Sequence, residues 1–340
     1  MGFNLIVEAN VPYMKGLFEP VANVKYPESE AITPELMHDA DALVTRTRTR
    51  CDASLLDGSR CRFIATATIG LDHIDRAYCR DHGIYVTNAP GCNAPAVAQY
   101  VMAVILKEYP DPSGKTLGVV GVGHVGSVVA RWAEGLGMKV LLNDPPRAEA
   151  EGGEGFVDLD QIAKEADIIS FHTPLTKPGT VHPSWHLCGE EFLAKVERHP
   201  IIINAARGPV ADTEALIRAY DNGLVSRLVI DCWEGEPAID RRLLERAWIA
   251  TPHIAGYSRQ GKERATARCV DALCEQFSLT PPTLPFVRPL DPPESVTASE
   301  VLETYDPMAD TAALKERPEE FENMRNHYDL RMEPGQDAHR

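Results

Sequence analysis

Three side chains in the second half of the sequence, Arg207, Glu236 and His253, could together hold an anion and move a proton. An arginine guanidinium holds a planar carboxylate through two parallel hydrogen bonds, which fixes the adjacent carbon. A histidine can accept a hydroxyl proton near neutral pH, and a neighbouring carboxylate orients the ring and stabilises its protonated form. Each of the three could also be an ordinary surface or strand-end residue, so the chemistry depends on whether the fold brings them together.

A glycine-rich turn could bind the pyrophosphate of a dinucleotide. The turn lies between an apolar run and a helical pattern, so the backbone can approach a pyrophosphate at the positive end of a helix dipole. Asp144 follows the next predicted strand, where a ribose-binding acid is expected, and this favours NAD over NADP. Arg147 keeps NADP as an alternative. The turn comprises Gly121, Val122, Gly123, His124, Val125 and Gly126.

Parallel strands are the elements that must position these groups. Two series of short apolar runs separated by helical patterns, at residues 3–86 and 116–251, predict two parallel sheets. Six strands in the second series suggest a doubly wound sheet with both halves complete. Ligands bind beyond the carboxyl ends of such strands. In the second series these ends carry His172, residues 204–208, Asp231 and His253.

The alternation of strands and helices predicts an α/β fold with two domains and an appended segment. Helical patterns at Ala94–Glu108 and 260–277 connect the two series, which makes the first domain discontinuous. Prolines crowd together after Leu279, and the last fifty residues hold 13 acidic and 5 basic side chains, typical of solvated surface. The predicted divisions are a substrate domain at 1–93 and 256–280, an NAD-binding domain at 94–255 and an acidic extension at 281–340.

Composition and charge exclude several classes of function. The 340 residues are 44% hydrophobic and 25% charged, with no apolar run long enough to span a membrane. A net charge of −16 disfavours binding to nucleic acids or anionic lipids. The first residues are unlike a signal peptide, so we expect a cytoplasmic protein with reduced cysteines, Cys232 being part of the core. His182 and His186 lack further ligands nearby, so no metal site is expected.

Four motifs occur in the order found in the D-2-hydroxyacid dehydrogenase family, which the sequence resembles over residues 1–279. The resemblance implies a doubly wound NAD-binding domain and a discontinuous, flavodoxin-like substrate domain. A narrower resemblance within the family implies an NAD-dependent oxidoreductase that converts 4-phospho-D-erythronate to the 2-oxo acid in pyridoxal 5′-phosphate (vitamin B6) biosynthesis. The segments that carry it are Asn88-Ala-Pro-Gly-Cys-Asn-Ala, Asp144-Pro-Pro-Arg, and Trp233-Glu-Gly-Glu-Pro with the later His253-Ile-Ala-Gly-Tyr. The motifs are Gly121-x-Gly-x-x-Gly, Asn204-Ala-Ala-Arg-Gly-Pro-Val, Asp231-Cys-Trp-Glu-Gly-Glu-Pro and Thr251-Pro-His-Ile-Ala-Gly.

The same resemblance implies a role for individual residues. Arg207, Glu236 and His253 are expected to be catalytic. Tyr257, Thr47 and Thr68 are expected to contact the substrate. Besides the glycine turn, the expected cofactor contacts are Asp144, Thr173, Ala205, Ala206, Arg207, Asp231 and Gly256.

Arginines around Thr47 could hold a substrate phosphate. Arg46, Arg48 and Arg50 alternate along a segment that, if extended, places them on one face of an otherwise acidic protein. Arg46 is therefore a further candidate for substrate binding. A solvated strand edge is the alternative interpretation.

Other functions and assemblies remain open at this point. The same chemistry could act on 3-phosphoglycerate or an unphosphorylated hydroxy acid, and NAD-sensing corepressor-like proteins share the fold. A homodimer is expected, although the segment after Leu279 is shorter than the dimerisation region of such enzymes and is interpreted as its remnant. Phe321, Met324, Tyr328 and Met332 occur at helix-like intervals, which indicates a docked helix or a partner contact.

Overall fold

The computed structural model describes residues 2–335, which form two compact units. The first unit comprises residues 2–93 and Arg259–Leu290. The second unit comprises Ala94–Ser258 and residues 291–335. The proline-rich part of the predicted extension therefore clusters with the first unit, and the helical part clusters with the second.

Strands and helices alternate along most of the chain, as the sequence predicts. The strands are β1 (Phe3–Val7), β2 (Ala22–Lys25), β3 (Ala42–Thr45), β4 (Phe63–Thr66), β5 (Tyr85–Thr87), β6 (Thr116–Val120), β7 (Lys139–Asn143), β8 (Ile168–Phe171), β9 (Ile201–Asn204), β10 (Arg227–Ile230) and β11 (Ile249–Ala250). The helices are α1 (Pro34–Met37), α2 (Ala53–Leu56), α3 (Arg76–Asp81), α4 (Ala94–Glu108), α5 (His124–Gly135), α6 (Pro145–Glu151), α7 (Leu159–Glu165), α8 (Glu190–Leu193), α9 (Thr213–Asp221), α10 (Arg241–Arg246), α11 (Arg259–Phe277), α12 (Ala298–Thr304), α13 (Pro307–Glu316) and α14 (Phe321–Asn326).

The first unit contains a five-stranded parallel sheet in the order β2-β1-β3-β4-β5. This is the flavodoxin-like order, with the chain reversing direction across the sheet between β1 and β3. Successive residues of a strand enter different cores, because side chains alternate between the two faces. Leu5 and Val7 pack into one apolar cluster, and Ile6 packs into another.

The second unit contains a six-stranded parallel sheet in the order β11-β10-β9-β8-β6-β7. Both faces are buried, since Ile201 and Ile203 enter one core and Ile202 enters the other. The expectation that six strands complete both halves is wrong, because β7 lacks a regular strand on its outer side. A single parallel bridge between Leu142 and Phe156 takes that place.

The C-terminal extension is folded onto the second unit. Val301 and Tyr305 lie in one core of this unit, while Leu314 and Phe321 lie in the other. The expectation of a solvated acidic tail is therefore wrong for residues 291–335, because apolar side chains at helical spacing are interleaved with the acids. The helix near the end covers only Phe321–Asn326, so Met332 lies outside it.

None of the helices within the described residues combines the length and apolar composition that a membrane span requires. All eight cysteines are free and buried. Cys232 is 1% exposed, and burial raises its pKa well above the usual value, so it is a core thiol.

Candidate active site

His253 and Glu236 form a hydrogen-bonded pair beyond the ends of adjacent strands β11 and β10. The distance between His253 Nδ1 and Glu236 Oε1 is 2.6 Å, and the two side chains are 23% and 25% exposed. His253 has a positive φ of 57°, which turns the chain sharply after the strand. Burial alone would raise the pKa of Glu236, but His253, Arg325 and the backbone N–H of Trp233 lower it overall. Glu236 is thus an ionised carboxylate beside the imidazole.

Arg207 lies on the loop after β9, and Asn204 ties this loop to the one after β10. The buried amide of Asn204 donates hydrogen bonds to the carbonyls of Arg207 at 3.0 Å and Cys232 at 3.2 Å. Gly208 reinforces this contact, since a Cβ there would lie 2.0 Å from the carbonyl oxygen of Trp233. The two loops are therefore held at a fixed spacing, and Arg207 is placed beside the turn that carries Glu236.

Charges from separate loops converge around the buried Cys232 thiol. Asp231 and Glu236 raise the pKa of this thiol, while Arg207 and Arg325 oppose that change. Asn204 ties the Arg207 loop to the loop that carries Glu236, and Glu236 contacts His253. The fold therefore brings the three residues predicted to be catalytic to the same edge of the sheet.

Asp231 organises the loop that carries His253. Its buried carboxylate accepts hydrogen bonds from the Thr251 hydroxyl at 2.7 Å and from the backbone N–H groups of Ile254 and Ala255 at 2.7 and 3.1 Å. Burial raises its pKa, although His253 and these donors oppose the shift. Asp231 was predicted as a cofactor contact. In the structure its carboxylate oxygens accept hydrogen bonds from the loop that follows β11.

Arg331, from the C-terminal extension, holds the other side of the same loop. Its guanidinium donates to the carbonyl oxygens of Ile254 at 3.0 Å and Ala255 at 2.5 Å. It also donates to Gln99 Oε1 at 2.9 Å and stacks on the Tyr305 ring at 4.2 Å. The backbone N–H groups of this loop thus donate to Asp231, and the backbone carbonyls of the loop accept from Arg331. These contacts fix the segment directly after His253.

The glycine turn between β6 and α5 has the geometry that a pyrophosphate needs. A Cβ on Gly126 would lie 2.0 Å from the carbonyl oxygen of Gly121, so the third glycine allows the helix to pack on the turn. A Cβ on Gly121 would lie 2.8 Å from the Thr173 nitrogen, which places Thr173 against the turn. Gly123, by contrast, faces open space at the start of α5. His124 and Val125 form the first turn of that helix, where free N–H groups attract anions.

Donors and acceptors around this turn fit NAD. The Thr173 hydroxyl has no hydrogen-bond partner within residues 2–335 and is buried. Asp144 accepts from the Val122 N–H at 2.8 Å and begins α6, so its carboxylate is held at the turn. Arg147 is engaged by Glu151 at 2.7 Å and by the Val122 carbonyl at 2.5 Å, rather than being held out for a 2′-phosphate. Ala205, Ala206 and Gly256 lie on the strand-end loops of the same unit.

Of the residues predicted to contact the substrate, Tyr257 lies in the second unit, and Thr47, Thr68 and Arg46 lie in the first. Thr47 is exposed after the end of β3, and Thr68 follows β4, where its hydroxyl lies 2.7 Å from that of Thr66. A buried carboxylate that the sequence analysis missed, Glu8, organises the loop around Thr47. It accepts from the Thr45 hydroxyl at 2.5 Å and the Arg46 N–H at 3.0 Å.

The segment that carries Arg46, Arg48 and Arg50 is not extended as predicted, because β3 ends at Thr45 and the chain bends at residues 47–49. Arg50 forms an ion pair with Asp52 at 2.5 Å. Arg46 remains beside Thr47, with its guanidinium near the Asn10 carbonyl at 3.4 Å.

A second histidine–carboxylate cluster has a different setting. His186 Nε2 lies 2.7 Å from Glu234 Oε1, and Glu234 Oε2 accepts the Thr213 N–H at 2.9 Å at the start of α9. His182 instead contacts Glu149 at 3.1 Å. The described residues contain no group of three or more His, Cys, Asp or Glu side chains suited to a metal ion.

Comparison with known proteins assigns the chain to a family. Residues 104–255 match the D-isomer specific 2-hydroxyacid dehydrogenase, NAD binding domain. The chain is 45% identical to erythronate-4-phosphate dehydrogenase of Porphyromonas gingivalis over 95% of its own length and 92% of the relative. Identity to the enzyme of the same name from Bacteroides thetaiotaomicron is 46%, over 97% of both chains.

The chain belongs to the erythronate-4-phosphate dehydrogenase family.

Solved structures agree with this assignment of the dehydrogenase. A D-lactate dehydrogenase from Aquifex aeolicus, complexed with NAD and lactic acid, superposes with a TM-score of 0.69 at 29% identity, covering 81% of this chain and 96% of that one. An NAD-bound 3-phosphoglycerate dehydrogenase from Entamoeba histolytica gives a TM-score of 0.67 at 25% identity, covering 84% and 100%. The protein is an NAD-dependent 2-hydroxyacid dehydrogenase with a Rossmann domain.

Three residues at this site were given no role in the sequence analysis. Asn204 had a signal, because it is the polar residue that ends an apolar strand and begins a motif. Arg325 and Arg331 had none, because they lie in the extension, far along the sequence from the motifs.

Proposed function

We propose that this dehydrogenase oxidises 4-phospho-D-erythronate to 3-hydroxy-2-oxo-4-phosphooxybutanoate with NAD, as a step of pyridoxal 5′-phosphate biosynthesis. The main support is the 2.6 Å hydrogen bond between His253 and Glu236, together with the contacts by which Asn204 ties the Arg207 loop to the loop that carries Glu236. The names of relatives at 45% and 46% identity support the choice of substrate.

The proposed mechanism assigns one task to each catalytic side chain. Arg207 holds the substrate carboxylate with its planar fork and so fixes C2. His253 takes the proton of the C2 hydroxyl through Nε2, because Nδ1 faces Glu236. Glu236 stabilises the imidazolium that results. Bound NAD supplies the acceptor for the hydrogen that leaves C2 with its electron pair.

Binding contacts are proposed by the same reasoning. Cofactor contacts are assigned to the glycine turn, Asp144, Thr173, residues 205–207, Asp231 and Gly256. Tyr257, Thr47, Thr68 and Arg46 are assigned to the substrate. The functional division is a substrate domain in the first unit and an NAD-binding domain in the second.

A substrate panel tests the function. Purified enzyme is assayed with 4-phosphoerythronate, D-erythronate, 3-phosphoglycerate and D-lactate, each with NAD and with NADP. We expect the highest kcat/KM for 4-phosphoerythronate with NAD. An equal or higher value for another acid contradicts the proposed substrate.

We also propose a cytoplasmic homodimer. Eight free thiols fit a reducing compartment, and Val181 and Trp185 expose apolar surface, 85% and 41% respectively, that a second copy could cover. Light scattering should give twice the chain mass of 37.4 kDa, and a value equal to one chain contradicts the dimer.

A further inference from the structure

Arg325 is a mostly buried arginine that lacks a close ion pair on its own helix, α14. Its side chain is 18% exposed, and its nearest carboxylate on α14, Glu322, lies 3.6 Å from Nη1. Its Nε is buried and donates no hydrogen bond to any of residues 2–335. Burying a guanidinium raises the free energy of the folded protein unless its N–H groups donate hydrogen bonds. The unused Nε–H of Arg325 could therefore donate to a bound anion.

The surroundings of Arg325 belong to the candidate active site. Tyr257 and Glu236 both raise the pKa of its guanidinium, which indicates that both lie close to it. Burial lowers its pKa, but Tyr257, Glu236 and Glu322 outweigh that effect, so the guanidinium is charged at all accessible pH values. Arg325 and Arg207 also act on the same Cys232 thiol. The packing of α14 agrees with this position, because Phe321 lies in the cluster that contains Trp233, next to the Glu236 turn, and Met324 packs against that cluster.

The backbone that carries Arg325 is held firmly. Phe321 is 1% exposed in the core cluster that contains Trp233, and Met324 packs against that cluster. After the helix, Tyr328 makes an edge contact with the Tyr257 ring at 6.1 Å. Arg325 is therefore preorganised, which reduces the entropic cost of binding a ligand.

We propose that Arg325 is a substrate-binding residue that donates hydrogen bonds to the phosphate of the substrate, next to Tyr257. The proposal rests on the proposed function, in which the substrate carries two anionic groups. Arg207 holds the carboxylate, and the phosphate can engage further guanidinium groups, of which Arg325 lies in the same unit as Arg207 and Tyr257. Glu236 cannot neutralise Arg325 fully, because the carboxylate also faces His253. Guanidinium groups suit phosphate oxygens because their fork gives parallel hydrogen bonds.

The test compares Arg325→Gln and Arg325→Lys with the wild type. We expect Arg325→Gln to raise KM for 4-phosphoerythronate about 10- to 100-fold, the loss of one or two charge-assisted hydrogen bonds, while KM for NAD stays unchanged. Competitive inhibition by inorganic phosphate should weaken in parallel, and inhibition by D-erythronate should not. Arg325→Lys should recover part of the loss. Arg317→Gln, an exposed arginine of the same extension, is the matched control and should leave all constants unchanged.

Two kinetic results would overturn the proposed role of Arg325. Unchanged kinetics in Arg325→Gln, or equal weakening of phosphate and D-erythronate inhibition, overturns the role of Arg325. Circular dichroism checks folding, and if the glutamine variant is unfolded, Arg325→Lys must show the phosphate-specific loss by itself. If the wild type does not oxidise 4-phosphoerythronate, the proposed function fails separately. In that case calorimetry with inorganic phosphate and NAD-loaded protein decides, and equal affinity of wild type and Arg325→Gln overturns the proposal.

Discussion

Glu236 serves several neighbours at once. One of its oxygens faces His253 at 2.6 Å and the other accepts the Trp233 N–H at 3.3 Å. Because these contacts all favour the charged form, the carboxylate can stabilise a protonated histidine without becoming protonated itself. Arg207 contributes in another way, since a planar fork fixes the orientation of a carboxylate as well as its position.

Arg207→Lys is expected to lower kcat/KM for 4-phosphoerythronate roughly 10- to 100-fold, because one ammonium group cannot form two parallel hydrogen bonds. Steady-state kinetics provides the measurement. Arg218→Lys, at an exposed ion pair with Glu190, is the control and should keep wild-type activity. Unaltered kinetics in Arg207→Lys would exclude Arg207 from carboxylate binding.

Glu236→Gln is expected to change the dependence of stability on acid. The pKa of Glu236 is lower in the folded protein than the ordinary value of 4.5, so ionisation stabilises the fold. That contribution is complete above pH 4.5 and is lost as the pH falls through the folded-state pKa. Between about pH 6 and pH 3, the free energy of unfolding should therefore fall more steeply for wild type than for Glu236→Gln. Denaturant titrations at several pH values measure this, and parallel curves would contradict it.

In the turn between β6 and α5, one glycine is needed for packing and another leaves space for a ligand. Gly126 is required because the helix touches the turn, whereas Gly123 faces open space with an ordinary backbone conformation, φ −77°. The loop after β11 is likewise fixed by two elements, with Asp231 on one side and Arg331 on the other.

Two alanine substitutions should have opposite consequences. Gly126→Ala forces the turn and helix apart and should cost about 1–3 kcal/mol of unfolding free energy, seen as a lower Tm. Gly123→Ala should leave Tm nearly unchanged and raise the Kd for NAD, because its methyl group occupies the space beside the helix N-terminus. Thermal denaturation and NAD titration separate the two effects. A wild-type Kd for NAD in Gly123→Ala would place the pyrophosphate elsewhere.

At the scale of the whole molecule, the C-terminal extension is a structural part of the second unit. It supplies side chains to both of its cores, and Thr311 accepts a hydrogen bond from the Ala250 N–H at 3.1 Å on edge strand β11. Because this extension also carries Arg325 and Arg331, stability and activity depend on the same segment.

Phe321→Ala is expected to destabilise the protein by about 3–5 kcal/mol, because it removes a fully buried ring and leaves a cavity. Activity should fall along with stability, since Arg325 is one turn away on α14. Met308→Ala, 38% exposed on α13, is the control and should change little. Equal unfolding free energies for the two variants would show that the extension is dispensable for folding.

Local patterns in the sequence predicted the elements and the residue types of the site. Continuous apolar runs specify buried parallel strands, so the sheets, α4 and the glycine turn were predicted nearly at their observed bounds. The polar residues at the strand ends made Arg207, Glu236 and His253 the catalytic candidates. These signals are local, since each depends on neighbours within a few positions.

Contacts between groups far apart in the sequence could not be predicted and became visible in the folded chain. Several contacts at the site join segments that are up to about a hundred residues apart. They are the hydrogen bonds of Asn204, the contacts of Asp231 and Arg331 with the loop after β11, and the contacts of Arg325. No local pattern encodes such pairings. The chain likewise bends after β3 instead of continuing as a strand, where the buried Glu8 carboxylate accepts hydrogen bonds from Arg46 N–H and the Thr49 hydroxyl. Contacts between remote segments depend on packing and on satisfying buried polar groups, which arise only when the whole chain is folded.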